Sequence, residues 1–357
     1  MPQLSREALW SIVDPRLTDP TVVTVMDQLL RLARSDWEVD EPIDLRAPLM
    51  RRYLSDHRLW LTLPLDAMRH SVRAEVRHRQ VAISAVQLRL RATAAEVLDH
   101  LATLEIDSRV LKGLATSELD YPHPLLRQTG DVDLAVPPDR LDDAVAVLRD
   151  AGHRNREEPF SPHLRYGWTL TSPNGVEIDL HTRLSRRSPL GDRLFRDPGE
   201  PLHDLGGTAL STTQRLVHAS GHFMISPPGT RRLNGLLDVT RILDRPGINL
   251  DTARRFAADL GIESLVGAGL QVEAGLSGRT DVVVALGRWA APDWLERNTR
   301  LVPERRLLLD HLGRFREVPR GQRLRYLPDW LLPSARQRRI LARSSRKSAE
   351  RALGRLR

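Results

Sequence analysis

The segment DVDLAV, residues 131–136, alternates acidic and apolar residues with a period of two. Successive side chains of a β-strand point to opposite faces of the sheet. The alternation therefore predicts a strand that carries two carboxylates, Asp131 and Asp133, on one face. The other face carries the apolar residues Val132, Leu134 and Val136.

A second segment, VEIDLHTRL at residues 176–184, alternates in the same way, with Glu177, Asp179 and His181 at its polar positions. Ser-Pro-Asn-Gly at residues 172–175 joins it to the strand pattern YGWTLTS and predicts a hairpin turn. If this strand lies beside residues 131–136, up to four carboxylates share one sheet face. Such a cluster repels itself unless cations bind it, and hard oxygen ligands favour Mg²⁺ or Mn²⁺. Taken alone, Asp-Val-Asp is also compatible with a solvated acidic face.

Lysine is rare in this chain, since only two of the 54 basic residues are lysines, Lys112 and Lys347. Lys112 lies at the end of the predicted strand RVLKG, directly before Gly113. A compact ammonium at a strand end can contact phosphate oxygens where the wider guanidinium of arginine does not fit. The alternative is that a lysine stands at this position by chance.

The sequence pattern divides the chain into four regions. We expect an N-terminal helical region, an α/β core, a C-terminal helical region and a basic tail, over residues 1–104, 105–205, 206–333 and 334–357. The predicted fold class is α/β, of the α+β kind, with a small mixed sheet flanked by helical segments. A long helix is predicted over residues 71–104, with an apolar stripe of Val81, Val86, Leu90, Val97 and Leu101.

Charge and composition limit the classes of function. The net charge of +8 resides in residues 334–357, which hold nine basic residues and one acid, so the rest of the chain is neutral. The tail is compatible with an anionic partner or with a solvated basic helix. The absence of cysteine excludes disulfides and cysteine-based sites. No apolar stretch reaches the roughly 20 residues of a membrane span, and no signal peptide is evident, so a cytoplasmic protein is expected.

The order of these motifs resembles the nucleotidyltransferase superfamily, and in particular its bacterial, uncharacterised nucleotidyltransferase-like branch. The matching segments are VLKGLATSELDYPHPLLRQTGDVDLAV, AVAVLRDAGH and VEIDLHTRL, all within residues 110–184. The resemblance extends more weakly over most of the chain. It implies the transfer of a nucleoside monophosphate from an NTP such as ATP to an unknown hydroxyl or phosphate acceptor on a small molecule, protein or RNA, with release of pyrophosphate. It also implies Mg²⁺ or Mn²⁺ as the cofactor.

The resemblance implies roles for particular carboxylates. Asp131 and Asp133 would bind the metal ions. Asp179 would be the third catalytic acid, either as a further metal ligand or as the acceptor of the proton from the attacking hydroxyl, with Glu177 as the second candidate. His181 would orient Asp179 or contact substrate, or would only cap the strand end.

The resemblance also implies a phosphate site. Gly113 would begin a helix whose N-terminal amides face phosphate, with Lys112 beside it. Most nucleotidyltransferases have Gly-Ser here, whereas this chain has Gly113-Leu114. Arg127, before the Asp-Val-Asp segment, would neutralise phosphate charge or form an ion pair in its loop. The departure from Gly-Ser favours an alternative function, a non-catalytic nucleotide- or RNA-binding protein. A further alternative is a docking protein that binds an anionic partner through its tail.

Three residues on predicted helices are weaker candidates. His218 and His222 are four residues apart, a spacing that suits either a zinc site or helix packing. Asp238 is expected either to close over the nucleotide or to form a surface salt bridge.

Overall fold

The computed structural model describes residues 5–14, 20–33, 48–65, 70–156, 167–184, 191–226, 231–287 and 289. Within them the helices are α1 Arg6–Val13, α2 Pro20–Ala33, α3 Pro48–Asp56, α4 His70–Thr103, α5 Lys112–Leu119, α6 Leu141–Asp150, α7 Gly191–Arg196, α8 Thr212–Ile225, α9 Leu233–Leu243, α10 Leu250–Asp259, α11 Glu263–Ser277 and α12 Thr280–Leu286. The strands are β1 Arg109–Val110, β2 Val132–Ala135, β3 Arg154–Asn155, β4 Gly167–Thr171, β5 Glu177–His181, β6 Glu200–Leu202 and β7 Gly207–Ala209.

These strands form one mixed sheet with the order β3-β4-β5-β2-β1-β7-β6. The central strands β2 and β5 are parallel, and their register places Asp133 opposite Asp179. β4 and β5 form the predicted antiparallel hairpin. Its turn includes Gly175 at a φ of +84°, a conformation that favours glycine. The predicted small mixed sheet between helical segments is therefore confirmed.

Helices α4 and α6 cover one face of the sheet. Val132, Leu134, Ile178 and Leu180 of that face share a hydrophobic core with apolar side chains of both helices. The alternation of residues along β2 and β5 therefore sends Asp133 and Asp179 to the other face. This face turns toward α8, which lies across a cleft from Asp133.

The long helix is confirmed, but its buried stripe differs from the prediction. Leu90, Val97 and Leu101 are buried, whereas Val81 and Val86 are 64% and 45% exposed. The buried face instead continues through Val72, Val76 and Gln87, and Gln87 bonds the backbone of Thr129 in the loop before β2. The prediction for Val81 and Val86 was wrong because apolar spacing cannot tell which helix face a neighbouring loop will cover.

The helical segments before and after the sheet share one hydrophobic core, which includes side chains of α1, α2, α3, α8, α9 and α11. The sheet also extends beyond the predicted core, because β7 pairs in parallel with β1 at Val110 and Ala209. Among the described helices, none combines the length and the hydropathy that crossing a bilayer would require.

Candidate active site

Asp133 lies at the centre of a charged cluster on the cleft-facing side of the sheet. Its side chain is only 3% exposed. Its Oδ1 atom accepts hydrogen bonds from Lys112 Nζ at 2.5 Å and from His181 Nε2 at 2.8 Å. Burial raises the pKa of Asp133, but the charge of Lys112 and the bond from His181 outweigh it and hold the pKa well below its usual range. Asp133 is therefore a buried carboxylate that stays ionised.

Lys112 reaches this position through an unusual backbone conformation. It is the first residue of α5, two positions after the end of β1, and its φ is +49°, in the left-handed region that non-glycine residues rarely adopt. Such a conformation costs about 1 kcal/mol for a residue with a side chain. The structure keeps a lysine where glycine would be easier, and the ammonium contacts Asp133. Burial lowers the pKa of Lys112, but the charge of Asp133 outweighs it, so that the pKa is raised and the cation persists.

Asp179 lies on the neighbouring strand, and Thr169 of β4 fixes its orientation by donating a hydrogen bond of 2.7 Å to Oδ1. One ligand atom from each of Asp133, Asp179 and His181 lies within 4.8 Å of the others. The two carboxylates supply the oxygen ligands that Mg²⁺ and Mn²⁺ prefer, whereas the imidazole is a softer ligand. The sequence had suggested Asp131 rather than His181 as the third member of the group.

Asp131 lies one residue before β2 and is half-buried. Burial and the charges of Asp133 and Asp179 raise its pKa, although Lys112 opposes this effect. A divalent ion beside Asp131 would remove this repulsion. Glu177, the second candidate for the third acid, instead forms an ion pair with Arg156, the residue directly after β3. Of the two acids on β5, only Asp179 joins the group of ligands.

Arg127 is committed to a buried ion pair. Its guanidinium donates to both carboxylate oxygens of Asp238 on α9, at 3.1 and 2.6 Å, and Tyr121 donates to the same carboxylate at 3.1 Å. A Cβ on Gly113 would lie 2.1 Å from Arg127 Nη1, so the glycine leaves the space that this arginine occupies. The structure thus favours the ion-pair interpretation of Arg127, and the salt bridge of Asp238 is buried rather than on the surface.

The cleft beside Asp133 is bordered by α5, α8 and α9. Helix α8 begins at a capping box of Ser211 and Gln214 and presents His218 and His222 to the cleft. The two rings pack edge to face with centroids 6.1 Å apart. Burial and the neighbouring His222 lower the pKa of His218 far below its usual value. Within the described part of the chain, neither histidine belongs to a group of three metal ligands, which favours packing over zinc.

Two further cleft residues, Arg58 and Arg232, were missed by the sequence analysis. Arg58 follows α3, in the N-terminal helical region, and Arg232 directly precedes α9. No motif marks either residue, because arginine is common throughout this chain.

The family comparison covers most of the described chain. A family model described as "Uncharacterised nucleotidyltransferase" matches residues 47–276. One similar solved structure is an antigenic nucleotidyltransferase-like protein from Paracoccidioides brasiliensis, with 16% identity, a TM-score of 0.37, and coverage of 57% of this chain and 94% of that one. Another is the antibiotic-resistance factor ANT(2'')-Ia, with 16% identity, a TM-score of 0.29, and coverage of 57% and 96%. No curated protein matches the chain.

Proposed function

Because the chain belongs to this family of uncharacterised nucleotidyltransferases, we propose that it transfers a nucleoside monophosphate from an NTP to a hydroxyl or phosphate acceptor in a reaction that requires Mg²⁺ or Mn²⁺. The observation that carries this proposal is the register of β2 and β5, which sets Asp133 opposite Asp179. That register gathers two carboxylates and His181 into one group of ligands beside a lysine.

Asp133 and Asp179 would hold the metal ion, with Asp131 close enough to add its charge. A divalent ion at such a site neutralises the charge of the phosphates and aligns the attacking and leaving oxygens. In the transfer, the acceptor oxygen forms a bond to the α-phosphorus while the bond to the pyrophosphate oxygen breaks. The proton of the acceptor hydroxyl passes to a carboxylate, for which Asp179 is our candidate because Thr169 holds its orientation.

Lys112 would supply a compact positive charge to the phosphates, next to the N-terminal amides of α5. Gly113, the second residue of that helix, leaves room for Arg127, which lines the same cleft. His181 would hold Asp133 in place through its hydrogen bond of 2.8 Å. Transfer of this kind depends mainly on positioning and on charge neutralisation, and these residues provide both.

The direct test is incubation of the protein with each α-labelled NTP, beginning with ATP, in Mg²⁺ or Mn²⁺ and with cell extract as the source of acceptors. We expect label on an acceptor and release of pyrophosphate. Asp179→Asn should lower the rate by at least about 100-fold. Asp99→Asn is the matched control, because Asp99 is exposed on α4, and it should leave the rate unchanged. Equal rates for both variants would contradict the proposal.

One feature favours a second candidate, a nucleotide- or RNA-binding protein without turnover. Position 114, where most relatives of the superfamily would have a serine, holds Leu114, and its side chain is buried in the sheet's core. On this reading the protein binds NTP in the presence of Mg²⁺ but transfers no label from any nucleotide. A docking protein that uses residues 334–357 would lose partner binding when they are removed, whereas a transferase should keep its turnover of a small acceptor.

A further inference from the structure

Arg58 is a half-buried cation of the cleft. Its guanidinium lines the cleft, and no carboxylate of the described residues forms an ion pair with it. Other arginines of the same cleft differ in this respect, since Arg127 pairs with Asp238 and Arg215 pairs with Asp120. A half-buried charge without a partner is unfavourable, so the fold keeps Arg58 in the cleft at the expense of its stability.

The C-terminal end of α3 places Arg58 beside the loop that precedes Asp131. Arg58 has a φ of +58°, the left-handed conformation in which many helices end, and Leu59 N donates to Leu54 O to close the end of α3. Its guanidinium lies against Gly130, where an added Cβ would be 2.8 Å from Arg58 Nη2. Gly130 directly precedes Asp131, so the guanidinium lies beside the acidic end of the candidate active site.

Arg232 adds a second cation to the same part of the cleft. It is exposed, and it makes no ion pair with any residue that the structure describes. Burial and then the charges of Arg232 and Arg127 lower the pKa of Arg58 to about 10. Arg58 and Arg232 both line this cleft, and Asp131, which lines it too, is the acid whose charge favours the Arg58 cation. An anion bound between the two arginines would offset their charges.

The chemistry of the cleft indicates which anion fits. The guanidinium of Arg127 is bonded to Asp238 and is therefore already neutralised. Arg58 and Arg232 remain for a ligand, and guanidinium groups bind phosphate through paired hydrogen bonds. A polyphosphate carries several charged oxygens, which can contact two arginines at once and also reach an ion held near Asp131. A single carboxylate cannot do both.

We propose that Arg58 and Arg232 form a subsite for the outer phosphates of the nucleotide. The two arginines come from the helical segments that precede and follow the sheet in the chain. The identity of the ligand as a nucleotide rests on the proposed function, whereas the binding of a polyphosphate does not. Through Arg58, the N-terminal helical region would take part in binding the nucleotide.

Calorimetric binding of inorganic tripolyphosphate, with and without Mg²⁺, tests this subsite without any turnover. We expect Arg58→Gly and Arg232→Ala each to weaken binding by roughly 10- to 100-fold, the effect of losing a hydrogen bond to a charged group. The control is Arg149→Ala, which removes an exposed arginine of α6 and should bind like the wild type. Arg58→Gly also places glycine in a left-handed conformation that favours it, and removes a half-buried cation. The melting temperature of the free variant should therefore equal or exceed that of the wild type.

Wild-type protein that does not bind tripolyphosphate, or variants that bind it as the wild type does, would overturn the subsite. A large drop in the melting temperature of free Arg58→Gly would overturn it too, because it would assign Arg58 to folding. The labelled-NTP assay reports separately on the proposed function. Tripolyphosphate binding that depends on Arg58, in a protein that transfers no label, would retain the subsite and reject the transferase.

Discussion

Asparagine substitutions at Asp131 and Asp133 should change the stability of the free protein in opposite directions. Each substitution replaces a carboxylate by a neutral group of the same shape, and the two positions are two residues apart in the chain. Asp133 is ionised and stabilised by Lys112 and His181. Asp131 is destabilised in its ionised form by burial and by its acidic neighbours. If both residues only bound metal, their substitution would affect the free protein alike.

The effect at Asp133 follows from its burial. The Asp133→Asn substitution would leave the ammonium of Lys112 without its counter-ion, and breaking a buried ion pair costs about 3–5 kcal/mol. The Lys112 side chain is 23% exposed, so water compensates in part. We therefore expect a loss of about 2–3 kcal/mol. At about 2–4 °C per kcal/mol, the melting temperature should fall by roughly 4–12 °C.

The dependence on pH has opposite signs at the two residues. The folded-state pKa of Asp133 is lowered, so its contribution is fully present above its unfolded pKa and is lost as the pH falls. The folded-state pKa of Asp131 is raised, so the protonated acid is the stabilising form, and stability is lost as the pH rises. At pH 7, Asp131→Asn resembles that protonated form. Its melting temperature should equal or exceed that of the wild type.

Thermal unfolding at pH 7, with and without Mg²⁺, measures these effects. The control is Asp99→Asn, a substitution at an exposed residue. Mg²⁺ should raise the melting temperature of the wild type and of Asp99→Asn, and should raise it much less for Asp133→Asn. Equal decreases for Asp131→Asn and Asp133→Asn in the absence of metal would refute the electrostatic reasoning.

Substitutions at three further positions test other parts of the site. Lys112→Arg should impair single-turnover transfer nearly as much as Lys112→Ala, because the broader, planar guanidinium would meet the phosphates at the wrong distance. Full activity of the arginine variant would reject the role of Lys112. Gly113→Ala should lower the free energy of unfolding by about 1–3 kcal/mol in urea titrations, because its Cβ would displace Arg127, and an unchanged midpoint would reject that steric role. Asp238→Asn should cost about 3–5 kcal/mol in the same titrations, whereas the exposed Asp99→Asn should cost little.

Periodicity in the sequence was sufficient to predict much of the sheet and some of the site. The alternation in β2 and β5 predicted which face carries Asp133 and Asp179, because the side-chain direction in a strand depends only on its local backbone. The hairpin followed from its turn residues for the same reason. The long helix α4 followed from its composition, although the sequence did not reveal which of its faces is buried.

Tertiary structure alone decided which charges meet. Arg127 pairs with Asp238, 111 positions away, and Lys112 reaches Asp133 only through a backbone conformation that a lysine rarely adopts. β7 joins the sheet as a three-residue strand, too short for any periodic pattern. The sequence does not distinguish Arg58 from the other arginines. The packing of α3 against the rest of the helical core places it beside Gly130. Sequence patterns record the local backbone, whereas ion pairs and clefts depend on packing between segments that are distant in the chain.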